Sequence, residues 1–139
     1  MTKSILTLMS FLLLSTLTFA GNIPTTVQKA FEQKFPNATG VKWDKENAHE
    51  YEASFEWKGE KHSANFSDSG EWLETESSST FSQLPDQVQT AFNASHKGAT
   101  IKAVARIETA KGVIKYEIEI KQGGKTVEFF YTADGGETK

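Results

Sequence analysis

The stretch Ile23-Pro24-x-x-Val27-x-x-Ala30-Phe31 returns as Leu84-Pro85-x-x-Val88-x-x-Ala91-Phe92, 84 minus 23 or 61 positions later. A chain that repeats itself in this way must solve one packing problem twice, because each copy carries its own apolar face to bury. In both copies the proline fits the first turn of a helix, where its missing N–H is not needed. The apolar positions that follow at three- and four-residue spacing form one stripe. Phe35-Pro36 closes the first helix, since Pro36 cannot continue it and restricts the residue before it.

The similarity resumes at a second offset, 116 minus 51 or 65, where Tyr51-Glu52-Ala53-Ser54-Phe55 answers Tyr116-Glu117-Ile118-Glu119-Ile120. Gly59, Phe66 and Gly70 answer Gly124, Tyr131 and Gly135 at the same offset, so an insertion lies in the second copy's first hairpin. Alternation of Tyr51, Ala53, Phe55 and Trp57 with Glu50, Glu52, Ser54 and Glu56 is the period of a strand with one buried face. The pattern predicts strands over 41–45, 50–57, 60–67 and 71–76, then 101–109, 113–121, 125–132 and a C-terminal stub. Lys58-Gly59, Asp68-Ser69-Gly70, Ala110-Lys111-Gly112, Gln122-Gly123-Gly124 and Asp134-Gly135-Gly136 supply hairpin turns. The expected fold class is α+β: tandem helix-plus-four-stranded antiparallel units over 21–76 and 84–139. Residues 77–83 join them as a linker, opening with Ser77-Ser78-Ser79-Thr80, and the two repeats form one compact unit. Each helix covers one face of its sheet and the other face is expected to be wet.

Residues 1–20 read as an export signal: Lys3, the apolar run from Ile5 to Phe19, and Thr18-Phe19-Ala20 before Gly21. Ser10, Ser15, Thr16 and Thr18 interrupt a run shorter than the roughly 18–20 apolar residues of a membrane span. Cleavage after Ala20 and a periplasmic, unanchored product are therefore expected. Removing Lys3 leaves 14 basic residues against 18 acidic ones, a net charge of −4 with no basic cluster, which argues against nucleic acid as a partner. The chain has no cysteine, so neither disulfides nor lipid attachment through cysteine is open to it.

Catalytic signatures are missing. His49, His62 and His96 lack the spacing that sets two imidazoles on one metal, and His62 and His96 align with apolar Val127 and Phe35 in the other copy. No serine sits in a G-x-S-x-G turn. Glu74-x-Glu76 and Glu117-x-Glu119 project from one strand face at a spacing that suits a cation or a glycosidase-type pair, but alternating glutamates are also the mark of a solvated strand. Asp68-Ser69-Gly70 lacks the remaining ligands of a calcium loop and reads as a turn. The expectation is a protein that is not an enzyme and has no cofactor and no metal.

The order L/I-P-x-x-V-x-x-A-F, Phe35-Pro36-x-Ala38, Val41-x-Trp43, Tyr51-Glu52-Ala53-x-Phe55 and Gly70-x-Trp72-Leu73-Glu74-Thr75-Glu76 resembles the PepSY-like, β-lactamase-inhibitor-like family of exported bacterial proteins. The resemblance implies a fold similar to β-lactamase inhibitory protein and a periplasmic address. The inhibitor's mode, implied by the same resemblance, uses a wet concave sheet face and an acidic hairpin inserted into the target. This chain departs from it in lacking disulfides and in offering Trp57-Lys58-Gly59-Glu60 at the hairpin. The expected function is a binding or inhibitor-like module that meets an envelope partner through its polar sheet face, Lys42, Asp44, Glu52, Ser54, Glu56, Lys61, Ser63 and Asn65. The alternative is a small-ligand carrier or sensor with a pocket between the repeats, near Trp57 or Trp72.

Overall fold

A computed structural model describes residues 21–138; the export signal read over residues 1–20 lies outside them. Helix α1 (Thr25–Lys34) starts directly after Pro24, whose carbonyl accepts from the Val27 and Gln28 N–H groups at 3.0 and 3.1 Å. Gln28 Nε2 reaches back to the Ile23 carbonyl at 2.8 Å. The second helix, α2 (Asp86–His96), is built alike, with Gln89 Nε2 donating to the Leu84 carbonyl at 2.9 Å. Each helix buries a valine and a phenylalanine one turn apart, Val27 and Phe31 in α1, Val88 and Phe92 in α2.

After α1 come strands β1 (Thr39–Asn47), β2 (Glu50–Trp57), β3 (Glu60–Ser67) and β4 (Trp72–Ser78). After α2 come β5 (Thr100–Thr109), β6 (Ile114–Gln122), β7 (Lys125–Tyr131) and the short β8 (Glu137–Thr138). All eight pair antiparallel in chain order in one continuous sheet. Its middle joint is β4 against β5, from Glu74 opposite Thr109 to Ser78 opposite Ala105. Strand β4 thus runs to Ser78, two residues into the stretch read as a linker, and a 3-10 turn at Phe81–Gln83 follows. Ser77 and Ser78 have no loop-like freedom because the edge of β5 takes up their backbone groups.

The helix-side face holds two cores. In the first, Phe31 and Phe35 meet Phe55 with ring centroids 4.9 and 4.7 Å apart, and Tyr51, Ala53, Ala64 and Phe66 complete the layer. Val88, Phe92, Val104, Ile118, Ile120 and Tyr131 form the second. His62 is buried in the first core, stacked on Phe55 and donating from Nδ1 to the Glu60 carbonyl at 3.0 Å. His96 is half-buried against Phe129, while His49 is exposed beside Asp68 at 3.0 Å. Trp57 and Trp72 lie at the core margins, their indole N–H groups bound to the Pro36 carbonyl and the Thr75 hydroxyl.

Gly70 and Gly135 hold helix and sheet at close range. Both have positive φ, and a Cβ built on them would stand 2.9 Å from the Thr26 carbonyl oxygen and 2.6 Å from that of Gln87. Backbone carbonyls cannot swing aside as a side chain can, so only glycine lets each turn pass under its helix. Gly135→Ala is therefore expected to destabilise the fold by about 2 kcal/mol or more, combining steric overlap with an unfavourable φ. Urea unfolding followed by circular dichroism would measure it, with Gly123→Ala, which meets nothing within 4 Å, separating the clash from the φ cost.

Candidate functional site

The sheet face turned away from the helices carries the chemistry. Register places Lys42 opposite Ser54 and Asp44 opposite Glu52, then Glu52, Ser54 and Glu56 opposite Asn65, Ser63 and Lys61. The eight residues read from the sequence as a polar face thus form one patch on β1 to β3. That face continues across β4, where Glu76 stands opposite Ser63 and Glu74 opposite Asn65.

The expectation that this face is wet needs correction. Ser63, Glu76, Glu117 and Glu119 are buried in it, as are Ala105 and Ile107, which lie opposite Ser78 and Glu76. A flat sheet would leave these side chains in water. Residues of β1 and β6 line a single cavity of about 420 Å³, although those strands are five steps apart, about 24 Å in a flat sheet. The face is therefore concave, and the β1–β2 and β5–β6 hairpins close toward one another across it. A backbone hydrogen bond from Ala110 N–H to the Leu73 carbonyl at 2.7 Å ties the second of these hairpins to β4.

Glu52, Ser63 and Asn65 line the cavity, whereas Lys42, Asp44, Ser54, Glu56 and Lys61 lie on the same face outside its lining. The walls add Glu46, Glu50, Glu74 and Glu76, with Lys111 and Lys115 facing them. Leu73, Ala110 and Val113 give the cavity an apolar side. Burial, then repulsion from Glu117, pushes the Glu76 carboxyl up to about 9. Burial, then Glu128 and Glu119, pushes Glu117 up to about 8. Glu46, Glu52 and Glu74 are also raised, burial being the main cause in each; Ser63 opposes the shift at Glu52 and Lys115 the shift at Glu74.

Glu46 and Glu128 were not singled out in the sequence, Glu50 was read only as part of the polar side of its strand, and Glu74, Glu76, Glu117 and Glu119 were read as a solvated strand face. One signal could have found part of the set. At the 65-residue offset, Glu52, Ser54 and Ser63 of the patch correspond to Glu117, Glu119 and Glu128.

On the opposite face, a groove of about 280 Å³ runs between the two helix-covered halves. Trp57, Trp72, His62, Arg106 and Glu108 line it, and Lys34 Nζ sits 3.5 Å from the Trp72 ring centroid. Among the described residues no helix is long and apolar enough to cross a membrane.

The two helices cover one face of the antiparallel sheet and leave the hollowed, acidic face open. The chain belongs to the family described as putative beta-lactamase-inhibitor-like, PepSY-like, which matches residues 18–63 and 49–137. Solved structures agree. A BLIP-like protein from Bacteroides fragilis NCTC 9343 is 26% identical over 88% of this chain and 87% of its own, with a TM-score of 0.74. A DUF2874 family protein from Bacteroides ovatus ATCC 8483 is 25% identical, covers 86% of each chain and has a TM-score of 0.76. A putative periplasmic protein from Bacteroides eggerthii DSM 20697 shares the fold at 22% identity and a TM-score of 0.78, over 86% of this chain and 88% of its own. No curated protein matches. The family is inhibitor-like in description rather than a known enzyme family.

The carboxyl of Glu76 sets a pH dependence. Unfolded, it titrates near 4.5; folded, near 9. Between those values the unfolded chain has released a proton that the folded chain retains, so stability falls as pH rises through this window and levels off above it. The expected slope from one such group is at most about 1.4 kcal/mol per pH unit. Glu76→Gln, uncharged throughout, should make the slope shallower and leave the share that Glu117 contributes up to about pH 8, as read from unfolding midpoints at several pH values.

Proposed function

We propose that the protein is an exported, non-enzymatic binding module whose concave sheet face receives a basic segment of an envelope protein. The observation that carries this reading is the concentration of carboxylates on one hollowed surface, Glu46, Glu50, Glu52, Glu74 and Glu76 around a single cavity. Burial and mutual repulsion penalise the ionised form of several of them. A lysine or arginine side chain entering the cavity would relieve that penalty, and Leu73, Ala110 and Val113 would pack its aliphatic stem. Lys42, Asp44, Glu52, Ser54, Glu56, Lys61, Ser63 and Asn65 form the β1–β3 side of the proposed surface. The periplasmic location rests on the leader-like residues 1–20; the B. eggerthii fold neighbour carries the same location in its description.

A second reading is supported by the helix-side groove, where Trp57 and Trp72 offer apolar surface and Arg106 and His62 offer polar contacts suited to a small ligand.

The two readings are separable by capture from an envelope extract, with the wild type and a Glu52→Lys, Glu56→Lys variant as baits. A partner held by the wild type, weakened by salt and lost from the variant is the expected result. Equal recovery on both baits would eliminate the acidic face. Loss of binding in Trp72→Ala, with the charge-reversed variant unaffected, would transfer the function to the helix-side groove.

A further inference from the structure

In the second half of the sheet, three carboxylates converge on the concave face. Glu117 and Glu119 are two residues apart on β6 and point the same way, and Glu128 of β7 stands directly opposite Glu119. One carboxylate oxygen from each lies within 4.8 Å of the other two. Like charges directly across an antiparallel pair are destabilising. Glu117 is 4% exposed, and among the described residues its Oε1 has no hydrogen-bond partner although it is shut off from water. An acceptor in that position is costly unless something positive or a donor comes to it.

The repeat supplies a contrast. The equivalent positions in the first half are Glu52, Ser54 and Ser63, where Ser63 stands directly opposite Ser54 and its hydroxyl favours the ionised form of Glu52. The fold therefore accepts small hydroxyl residues at two of the three places, and packing by itself does not call for three glutamates. Lys102 approaches Glu119 at 4.0 Å, the outer limit of an ion pair, and does not satisfy the buried oxygen of Glu117.

We propose that Glu117, Glu119 and Glu128 form a binding site for a hard divalent cation, calcium by preference. All three donors are carboxylate oxygens, which favours calcium, magnesium or manganese over the softer transition metals. Oxygens bound to one calcium at roughly 2.3–2.6 Å can lie up to about 5 Å apart, which accommodates the observed spread without moving the strands. Glu128 is half-buried, so water can complete the coordination shell from the concave side. The site depends on no protein partner, and its failure would leave the reading of the acidic cavity standing.

The test is isothermal titration of the purified protein with calcium chloride and, separately, magnesium chloride near pH 8, with thermal unfolding at matched concentrations. One calcium per chain is expected, at about 10⁻⁴–10⁻³ M affinity, with a rise in unfolding temperature. Glu117→Gln and Glu128→Gln should each weaken binding by about tenfold or more. Glu117→Gln keeps the shape of the side chain and removes a buried ionisable group, so circular dichroism should show it folded. Glu71→Gln, exposed and outside the face, should bind as the wild type does. No heat and no thermal shift up to about 10 mM calcium would overturn the proposal, as would affinity left intact by both glutamine variants or lost equally in Glu71→Gln.

Discussion

The pairing of β4 with β5 is the interaction on which the rest of the structure depends. Without it, each helix would cover its own short sheet and each sheet would end in an open edge, with unpaired N–H and C=O groups along Ser77 or Arg106. With it, eight strands run in one ladder and the two aromatic and aliphatic cores become neighbours on one face. The same joint decides the chemistry of the other face. It lays Glu76 against Ile107, closes the β5–β6 hairpin over β4, and brings Lys111 and Lys115 of the second half into one hollow with the carboxylates of the first.

A hollow of this kind is costly to maintain. Burial raises the free energy of the ionised forms of Glu46, Glu52, Glu74 and Glu76, and pushes Glu76, with Glu117 on the same face, well above the ordinary carboxylate range. An apolar residue at either place would avoid the cost, as Ile107 does on the same face at 1% exposure. Structures that keep expensive groups in a cleft commonly use them, and the arrangement here offers proton, cation or basic side chain as ways of neutralising the site. The membership of an inhibitor-like family and the shared fold with a BLIP-like protein fit a surface built for recognition.

Local structure was largely legible in the chain. Two prolines with apolar spacing behind them mark the helix starts, and strict alternation from Tyr51 to Trp57 marks which side of β2 is buried. His62 and His96 took the apolar surroundings that their aligned partners suggested. The site was legible only in part. Alternation placed Lys42, Asp44, Glu52, Ser54, Glu56, Lys61, Ser63 and Asn65 on one face, but it could not separate those that line the cavity from those on its flank. It also left Glu74, Glu76, Glu117 and Glu119 as ordinary solvated glutamates, because a period of two reports which face a side chain takes and nothing about curvature.

The amino-acid sequence by itself determined the elements, the faces they bury and the doubled order of helix and strands, because these follow from spacing within a few residues. Tertiary structure alone decided that Ser77 and Ser78 extend β4 instead of forming a linker, that one sheet forms across the repeat boundary, and that its open face is concave. Those outcomes depend on hydrogen bonds and contacts between residues about thirty to seventy positions apart, which no local pattern encodes. The convergence of Glu117, Glu119 and Glu128 belongs to both, since the repeat names the positions and only the register of β6 with β7 brings their oxygens together.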